Sequence, residues 1–231
     1  IDRFHNPEFT MLEAYQAYAD FNDMMELTED IYVAAAKTLH GKTKITFQGS
    51  TIDFKKPWER LTMVEALKKH ANLDVEAMKD TELRNKLKES KLDSKASRGE
   101  VVEELFKQLV EPHLILPTFI THHPKESTPL CKLCRKNPEF SVERFEPFCC
   151  GMEIGNAYSE LNAPLLQRQL LEEQEKQLRA GKAEAHPMDE DFLRAIEHGM
   201  PPTGGLGLGI DRMVMLLTDK PSIRDVLFFP F

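Results

Sequence analysis

The sequence lacks the features that would place the protein in a membrane. No apolar run approaches the roughly 18 residues of a transmembrane helix, and no signal-peptide pattern is present. We therefore expect a cytoplasmic protein without a membrane partner. The first residue is Ile1 rather than Met, so we also expect the sequence to be a piece of a longer protein.

An excess of positive charge is also absent. The chain has 30 Lys and Arg against 38 Asp and Glu, for a net charge of −8. Bulk electrostatics therefore give no sign of nucleic-acid binding, and we expect no DNA partner. A local basic patch or a further domain could still bind RNA. With 231 residues, the chain can bury a substantial core as one large domain or two small ones.

Cysteine is scarce and clustered. Cys131 and Cys134 form a C-x-x-C pair, and Cys149 and Cys150 are adjacent. The spacing resembles a zinc site, but adjacent cysteines on a strand point to opposite faces, so zinc would require a turn at that pair. The alternative is four reduced thiols in partly buried positions, and we expect no zinc cofactor.

Hydrophobic patterning predicts an α+β fold, with an antiparallel sheet flanked by helices. Gly41 should end the first helix. Pro117 should put its strand at an edge or a bulge. The predicted strands are 7–19, 114–121, two runs within 145–161 and the segment near 204–209, with a hairpin over 44–54. The predicted helices are 22–40 (apolar face Met24, Leu27, Ile31 and Ala35), 63–70, 100–110, 165–180, 190–198 and a run from Met213.

Glycine is concentrated in one unusual segment. Gly205, Gly207 and Gly209 alternate with large apolar residues, so a strand here would have one bare face. Such a face suggests that something lies against the backbone. Arg212 follows at once, well placed to meet an anion such as phosphate. The alternative is a glycine-rich bend packed on a neighbouring element, with Arg212 in an ordinary ion pair.

Two groups of acidic residues suggest binding chemistry. If the chain reverses near residues 150–151, Glu146 and Glu153 come close as cross-strand neighbours. Like charges destabilise a hairpin unless a cation lies between them, and Mg²⁺ accepts one or two carboxylates plus phosphate oxygens. The alternative is that both glutamates face solvent or pair with arginines.

A second polar set occupies strand faces. Asn156, Tyr158 and Glu160 share one face by period two, and Glu13 and Tyr15 repeat the carboxylate–phenol pair. Two carboxylates with tyrosines suit a ligand ammonium. The alternative is a polar face turned to water. On the face of Glu13, the ring of Phe9 could stack on a nucleobase, although a strand phenylalanine is more often part of the core.

Three segments together resemble the class II aminoacyl-tRNA synthetases, most closely the lysyl-tRNA synthetases. Residues 5–15, HNPEFTMLEAY, resemble the second strand of motif 2 of that family. Residues 153–162, EIGNAYSELN, resemble its amino-acid-binding strand, and residues 199–212, GMPPTGGLGLGIDR, resemble motif 3. Long motifs in the family's order make the resemblance specific.

The resemblance implies a site and a reaction. Lysine and ATP would give lysyl-adenylate, followed by transfer to tRNA(Lys), in a homodimeric enzyme. Catalysis would involve Arg212, on the ATP γ-phosphate, and Glu153. The other implied ATP contacts are Phe9 on adenine, His5 near the phosphates, and Mg²⁺ on Glu146 and Glu153. The implied lysine contacts are Glu13, Tyr15, Asn156, Tyr158 and Glu160, with Gly207 leaving room.

Parts of the family's pattern fall outside this sequence. We expect residues 1–231 to be a partial catalytic domain with a helical insertion at 64–112. The first strand of motif 2, motif 1 and the anticodon-binding OB domain would lie elsewhere in the parent protein, so this piece alone should be inactive. Two alternatives stay open: a related enzyme that lysylates elongation factor P, or a non-catalytic paralogue that binds lysine or nucleotide.

Overall fold

The computed structural model describes residues 1–88, 92–93, 96–179, 181 and 187–230. The strands are β1 Met11–Ala17, β2 Lys44–Phe47, β3 Ser50–Asp53, β4 Glu59–Thr62, β5 Thr118–Thr121, β6 Arg144–Cys149, β7 Met152–Glu153, β8 Gly155–Ser159 and β9 Thr203–Gly209. The α-helices are α1 Phe21–His40, α2 Met63–Ala71, α3 Asp80–Arg84, α4 Arg98–Leu109, α5 Pro164–Arg179, α6 Glu190–Glu197 and α7 Ile210–Thr218.

A seven-stranded sheet forms the centre of the molecule. Its order is β1-β9-β8-β6-β5-β4, with β7 pairing on β6, and only β4 and β5 run parallel among these pairs. The predicted α+β fold with an antiparallel sheet is confirmed. The edge position expected from Pro117 is wrong, because β5 pairs on both sides. The strand instead begins one residue after the proline, whose nitrogen cannot donate to a ladder.

The first strand is shorter than predicted. It begins at Met11, and Phe9 lies in the irregular segment before it rather than on the strand. It ends at Ala17 because Tyr18 adopts a left-handed φ of 58°, which turns the chain into α1. The side chain of Phe9 is 56% exposed, so the core position that is common for a strand phenylalanine does not apply.

Helix α1 has the predicted ends but a shifted buried face. Gly41 closes it at φ 68°, as expected. Met24 is fully buried and Leu27, Ile31 and Ala35 are half-buried against the core, as predicted, but the fully buried stripe is shifted to include Thr28 and Glu29. Apolar spacing misses this stripe because its polar members have partners. The Thr28 hydroxyl donates to the Met24 carbonyl, and the Glu29 carboxylate accepts from the Trp58 amide at 2.7 Å.

Local turn chemistry produces the predicted hairpin. Gln48 and Gly49 link β2 to β3 with φ values of 48° and 81°, the two positive values of a type I′ turn. The helices predicted over 165–180 and 190–198 are also found as α5 and α6, although residue 180 lies outside the described residues.

Helices α2, α3 and α4 lie over one part of the sheet. Their apolar side chains form a cluster that continues onto Ile120 of β5 and Phe148 of β6. Strand β4, which was not predicted, leads directly into α2 through the capping residue Thr62. Within the part of the chain that the structure describes, no helix combines the length and apolar character needed to cross a bilayer.

Candidate functional site

The glycines of β9 form the floor of a groove, because β9 lies between β1 and β8. Gly205 and Gly207 present no side chain to the groove, whereas Leu206 and Leu208 are buried in the core. The neighbouring strands are each about 5 Å away, so the side chains flanking the floor stand about 10 Å apart. The residues paired with the two glycines are Tyr15 and Glu13 of β1 and Tyr158 and Asn156 of β8.

A cavity of about 490 Å³ stands on this floor. Glu146 instead lines a neighbouring cavity of about 310 Å³, and His5, Glu153 and Arg212 line both. The structure therefore gathers the predicted site residues into two adjoining spaces. The predicted residues in the first cavity are His5, Phe9, Glu13, Tyr15, Glu153, Asn156, Tyr158, Glu160, Gly207 and Arg212.

One end of the first cavity is acidic. Burial of its carboxylate raises the pKa of Glu160 to about 7. Burial also raises the pKa of Tyr15, and the charges of Glu13 and Glu160 raise it further. The Asn156 amide donates to the Tyr158 hydroxyl at 2.8 Å. This end can accept a cation that donates several hydrogen bonds.

Gly205 makes room for Glu160, a role that the sequence reasoning assigned to neither residue. A Cβ at position 205 would overlap the Oε1 of Glu160 and lie 3.0 Å from the Cε1 of Tyr15. A Cβ at Gly207 would meet only the Met11 sulfur at 3.5 Å and a backbone oxygen at 3.7 Å. Gly207 therefore leaves space to the cavity, whereas Gly205 allows a buried carboxylate to lie against the sheet.

The other end of the cavity carries Arg212, in the first turn of α7. Its Nη1 donates to the Glu153 carbonyl at 2.5 Å and its Nη2 to the Phe4 carbonyl at 3.4 Å. The adjacent Asp211 accepts from the Thr10 amide at 2.6 Å, which ties the same helical turn to the segment before β1. The hydrogen bonds of Arg212 go to backbone carbonyls rather than to a carboxylate. Among the described residues Arg212 forms no ion pair with a carboxylate, so the ordinary ion pair considered above is not found there and the charge is available to an anion.

Arg144 connects the two cavities, and sequence reasoning missed it. Its Nε donates to Asn156 Oδ1 at 2.9 Å, and it pairs with Glu146. Its guanidinium also lies 5.8 Å from the centre of the Tyr158 ring. The available signal was the alternation of Arg144 and Glu146, which puts both side chains on one face of β6. Glu146 thus pairs with an arginine, which was one of the alternatives considered from the sequence.

The relation of Glu146 to Glu153 differs from the prediction. They are not cross-strand partners: Glu146 lies opposite Ile120, and Glu153 lies opposite Phe148. The reason is the register of the turn, which pairs Cys149 with Met152 and so puts Glu153 opposite residue 148 rather than 146. Both carboxylates nevertheless reach the second cavity, where burial, then the charge of Glu146, raises the pKa of Glu153 to about 7.

This donor set fits a metal that brings other ligands with it. Among the described residues, no group of three or more His, Cys, Asp or Glu side chains could hold an ion alone. Mg²⁺ binds commonly through one or two carboxylates, with water and substrate phosphate completing its octahedron. Two nearby acids, one with a raised pKa, therefore suit Mg²⁺ better than a metal that needs a complete protein cage.

The antiparallel sheet, its glycine-floored groove and the arginine beyond it define the catalytic fold of a class II aminoacyl-tRNA synthetase. The family model for class II tRNA synthetases (D, K and N) matches residues 1–231, and the chain belongs to that family.

The curated relatives that match the chain are lysine–tRNA ligases. The chain is 50% identical over 236 residues to a lysine–tRNA ligase of Clostridium acetobutylicum, a match that covers 100% of this chain and 46% of that protein. A lysine–tRNA ligase of Saccharolobus solfataricus is 51% identical over 233 residues, covering 100% and 47%. One of Thermosynechococcus vestitus is 53% identical over 230 residues, covering 98% and 45%. The chain thus spans about half the length of the curated relatives it matches.

Proposed function

We propose that this chain is part of a lysine–tRNA ligase and provides the pocket in which lysine is activated by ATP. The observation that carries the proposal is the polarity of the first cavity. Half-buried Glu160 and its neighbour Glu13 lie at one end, and Arg212 lies at the other. Lysine joined to a nucleotide phosphate has the complementary distribution of charge.

The acidic end is assigned to the lysine side chain. Its ammonium would lie between the carboxylates of Glu13 and Glu160 and donate to both. Tyr15, Tyr158 and Asn156 would enclose it, with the Asn156 amide held by Arg144. Gly207 would leave the floor free for the aliphatic part of the ligand.

The basic end is assigned to ATP. Phe9, which is exposed beside the cavity, would stack on adenine, and His5 and Arg212 would contact the phosphates. Glu146 and Glu153 would hold Mg²⁺, which when bound neutralises charge on the ATP phosphates.

The reaction then needs no nucleophile from the protein. A lysine carboxylate oxygen attacks the α-phosphorus of ATP, and the bond from that phosphorus to the bridging oxygen of pyrophosphate breaks. Lysyl-adenylate and pyrophosphate result, and the lysyl group then passes to the 3′ end of tRNA(Lys). Arg212 contributes charge that is already fixed in position by its two backbone carbonyls, so little reorganisation is required as negative charge develops.

The remaining proposals concern the whole protein. We propose that residues 64–112 are a helical insertion in the catalytic domain, which is supported by their separate apolar cluster over the sheet. We further propose that the parent enzyme is a cytoplasmic homodimer that carries motif 1, the first strand of motif 2 and an OB domain. The coverage of about 46% of a lysine–tRNA ligase supports such additional parts.

ATP–pyrophosphate exchange by the full-length protein tests the proposal. Lysine should support exchange, whereas aspartate and asparagine, the other substrates named for the family, should not. Exchange with either of those amino acids but not with lysine would refute the assignment. Aminoacylation of tRNA(Lys), compared with lysylation of elongation factor P, then identifies the acceptor.

Lysine binding should weaken as the pH falls below 7. The folded-state pKa of Glu160, about 7, means that most of its carboxyl is neutral at pH 6 and ionised at pH 8. The Tyr15 phenol facing it stays neutral over this range, because its pKa is raised from 10. If the ammonium requires the carboxylate, lysine affinity measured by calorimetry should be about tenfold lower at pH 6 than at pH 8. An affinity that does not change over this interval would argue against contact between Glu160 and the ammonium.

Gly205→Ala should weaken lysine binding without unfolding the protein. The new methyl group would displace the end of the flexible Glu160 side chain, which leaves the melting temperature nearly unchanged. Loss of a well-placed buried charge costs about 2 kcal/mol or more, so the KM for lysine should rise about thirtyfold. A lysine KM in Gly205→Ala equal to that of the unmodified protein would contradict this role of Gly205.

A further inference from the structure

Adjacent thiols converge at the turn that follows β6. Cys149 is the last residue of that strand, and Cys150 has a left-handed φ of 53°. On a continuous strand their side chains would point to opposite faces. Here both Sγ atoms lie 3.6 Å from the carbonyl oxygen of Ile115. The turn at this pair thus brings two sulfur atoms to one place.

We propose that Cys149 and Cys150 are a site of reversible oxidation, at which a small-molecule disulfide converts them to a vicinal disulfide. The Cys150 thiolate attacks one sulfur of the oxidant and releases one thiol, leaving a mixed disulfide. The Cys149 thiolate then attacks the Cys150 sulfur and releases the second thiol. The oxidant gains two electrons and the two cysteine protons, so the exchange is balanced.

The environments of the thiols set this order of attack. Cys149 is completely buried, whereas Cys150 is partly exposed and can meet a reagent from solution. The neighbouring Cys149 thiol lowers the pKa of Cys150, whereas the Cys150 thiol and burial together raise the pKa of Cys149. The accessible thiol is therefore also the better source of thiolate. Cys149 becomes reactive once its neighbour carries the mixed disulfide.

The covalent geometry makes such a bond easy to reverse. Successive Cα atoms are about 3.8 Å apart across a trans peptide. Ordinary disulfides join Cα atoms about 4.4–6.8 Å apart, so a bond between neighbours is strained and more readily reduced. Strained disulfides are the labile ones in thiol exchange. We therefore expect the modification to be removed by an ordinary dithiol.

The site adjoins the second cavity through its backbone. The Cys150 amide donates to the Ile115 carbonyl at 3.1 Å, and the Gly151 amide donates to the Leu114 carbonyl at 3.0 Å. Glu153 is the second residue of β7, which begins directly after Gly151. Closing the ring would disturb these turn hydrogen bonds and move Glu153, so oxidation should also slow adenylate formation. This consequence, unlike the modification itself, rests on the proposed function.

Mapping of the cysteines by peptide mass spectrometry tests the modification without any activity assay. The full-length protein is incubated with oxidised glutathione, then digested after alkylation. The expected product is a peptide in which Cys149 and Cys150 have lost two hydrogens, restored by dithiothreitol. Cys149→Ala should instead retain glutathione on Cys150. Cys131→Ser, which changes a buried cysteine in another segment, should leave the vicinal product unchanged.

Two results would overturn the proposal. One is free thiols at both positions after incubation of the folded protein with oxidised glutathione. The other is a glutathione adduct on Cys150 that persists in the unmodified sequence as it does in Cys149→Ala. If the disulfide forms but lysine-dependent exchange keeps its rate, the site stands and the expected movement of Glu153 is refuted. Failure of exchange in the reduced protein would count against the proposed function alone.

Discussion

Replacing Arg212 with alanine in the full-length protein should slow lysine-dependent ATP–pyrophosphate exchange by about 10²–10³-fold, or about 2.7–4 kcal/mol of transition-state stabilisation. The expected loss is large because the guanidinium is held in place before ATP arrives, by the carbonyls of Glu153 and Phe4. A charge fixed in advance stabilises a transition state without the reorganisation that a mobile side chain or water would need.

Two further variants separate charge from structure. Arg212→Lys keeps the charge but not the planar fork, so it should recover part of the lost rate and leave the melting temperature near that of the alanine variant. Arg168→Ala is the surface control, because this arginine pairs with Glu190 on the outside of the helices. Its loss should change the exchange rate by less than about twofold. If Arg212→Ala and Arg168→Ala exchange at the same rate, Arg212 has no part in adenylate formation.

Local signals in the sequence were sufficient for most of the fold. The hairpin turn at Gln48 and the helix end at Gly41 depend on the backbone preferences of one or two residues, so both can be predicted without the tertiary structure. The burial of Glu29 on α1 could not be predicted, because its carboxylate accepts from the amide of Trp58, which is distant in sequence. Side-chain pairing across the sheet, as for Glu146 and Glu153, likewise depends on a register that alternation does not specify.

The candidate site also divides into features that local sequence predicts and features that depend on contacts between distant elements. Alternation correctly put the residues flanking the glycine floor on common faces of β1 and β8, because period two is a property of the strand itself. Their roles toward lysine and ATP remain predictions. The contacts of Gly205 with Glu160 and of Arg144 with Asn156 join residues from different elements. Such contacts follow from strand order, which no local pattern in this sequence contains.

The two cavities together suggest why acids are tolerated at the centre of the protein. Glu160 and Glu153 are both buried enough to raise their pKa to about 7, so each weakens the folded state near neutral pH. Natural proteins keep such unfavourable groups mainly where a ligand uses them. A bound ammonium at one acid and a phosphate-associated cation at the other would each offset this cost.

Glu160→Gln should have the largest effect on lysine recognition. The substitution keeps the shape of the side chain and removes its charge, so the ammonium loses a buried carboxylate partner. Such a loss costs about 2–4 kcal/mol, and the KM for lysine should therefore rise between about thirtyfold and a thousandfold, while the KM for ATP changes little. The weakening of lysine binding below pH 7 should disappear as well.

The same variant should be more stable than the unmodified protein, but only at high pH. In the folded state the pKa of Glu160 is raised from 4.5 to about 7, so its ionisation opposes folding progressively as the pH rises through this interval. The glutamine avoids that cost, which corresponds to about 3 kcal/mol at pH 8 and nearly vanishes at pH 4. Thermal unfolding at the two pH values measures it, with Glu197→Gln on the exposed surface of α6 as the control. A variant that binds lysine normally, or that gains no stability at pH 8, would show that Glu160 is not a buried carboxylate held for an ammonium.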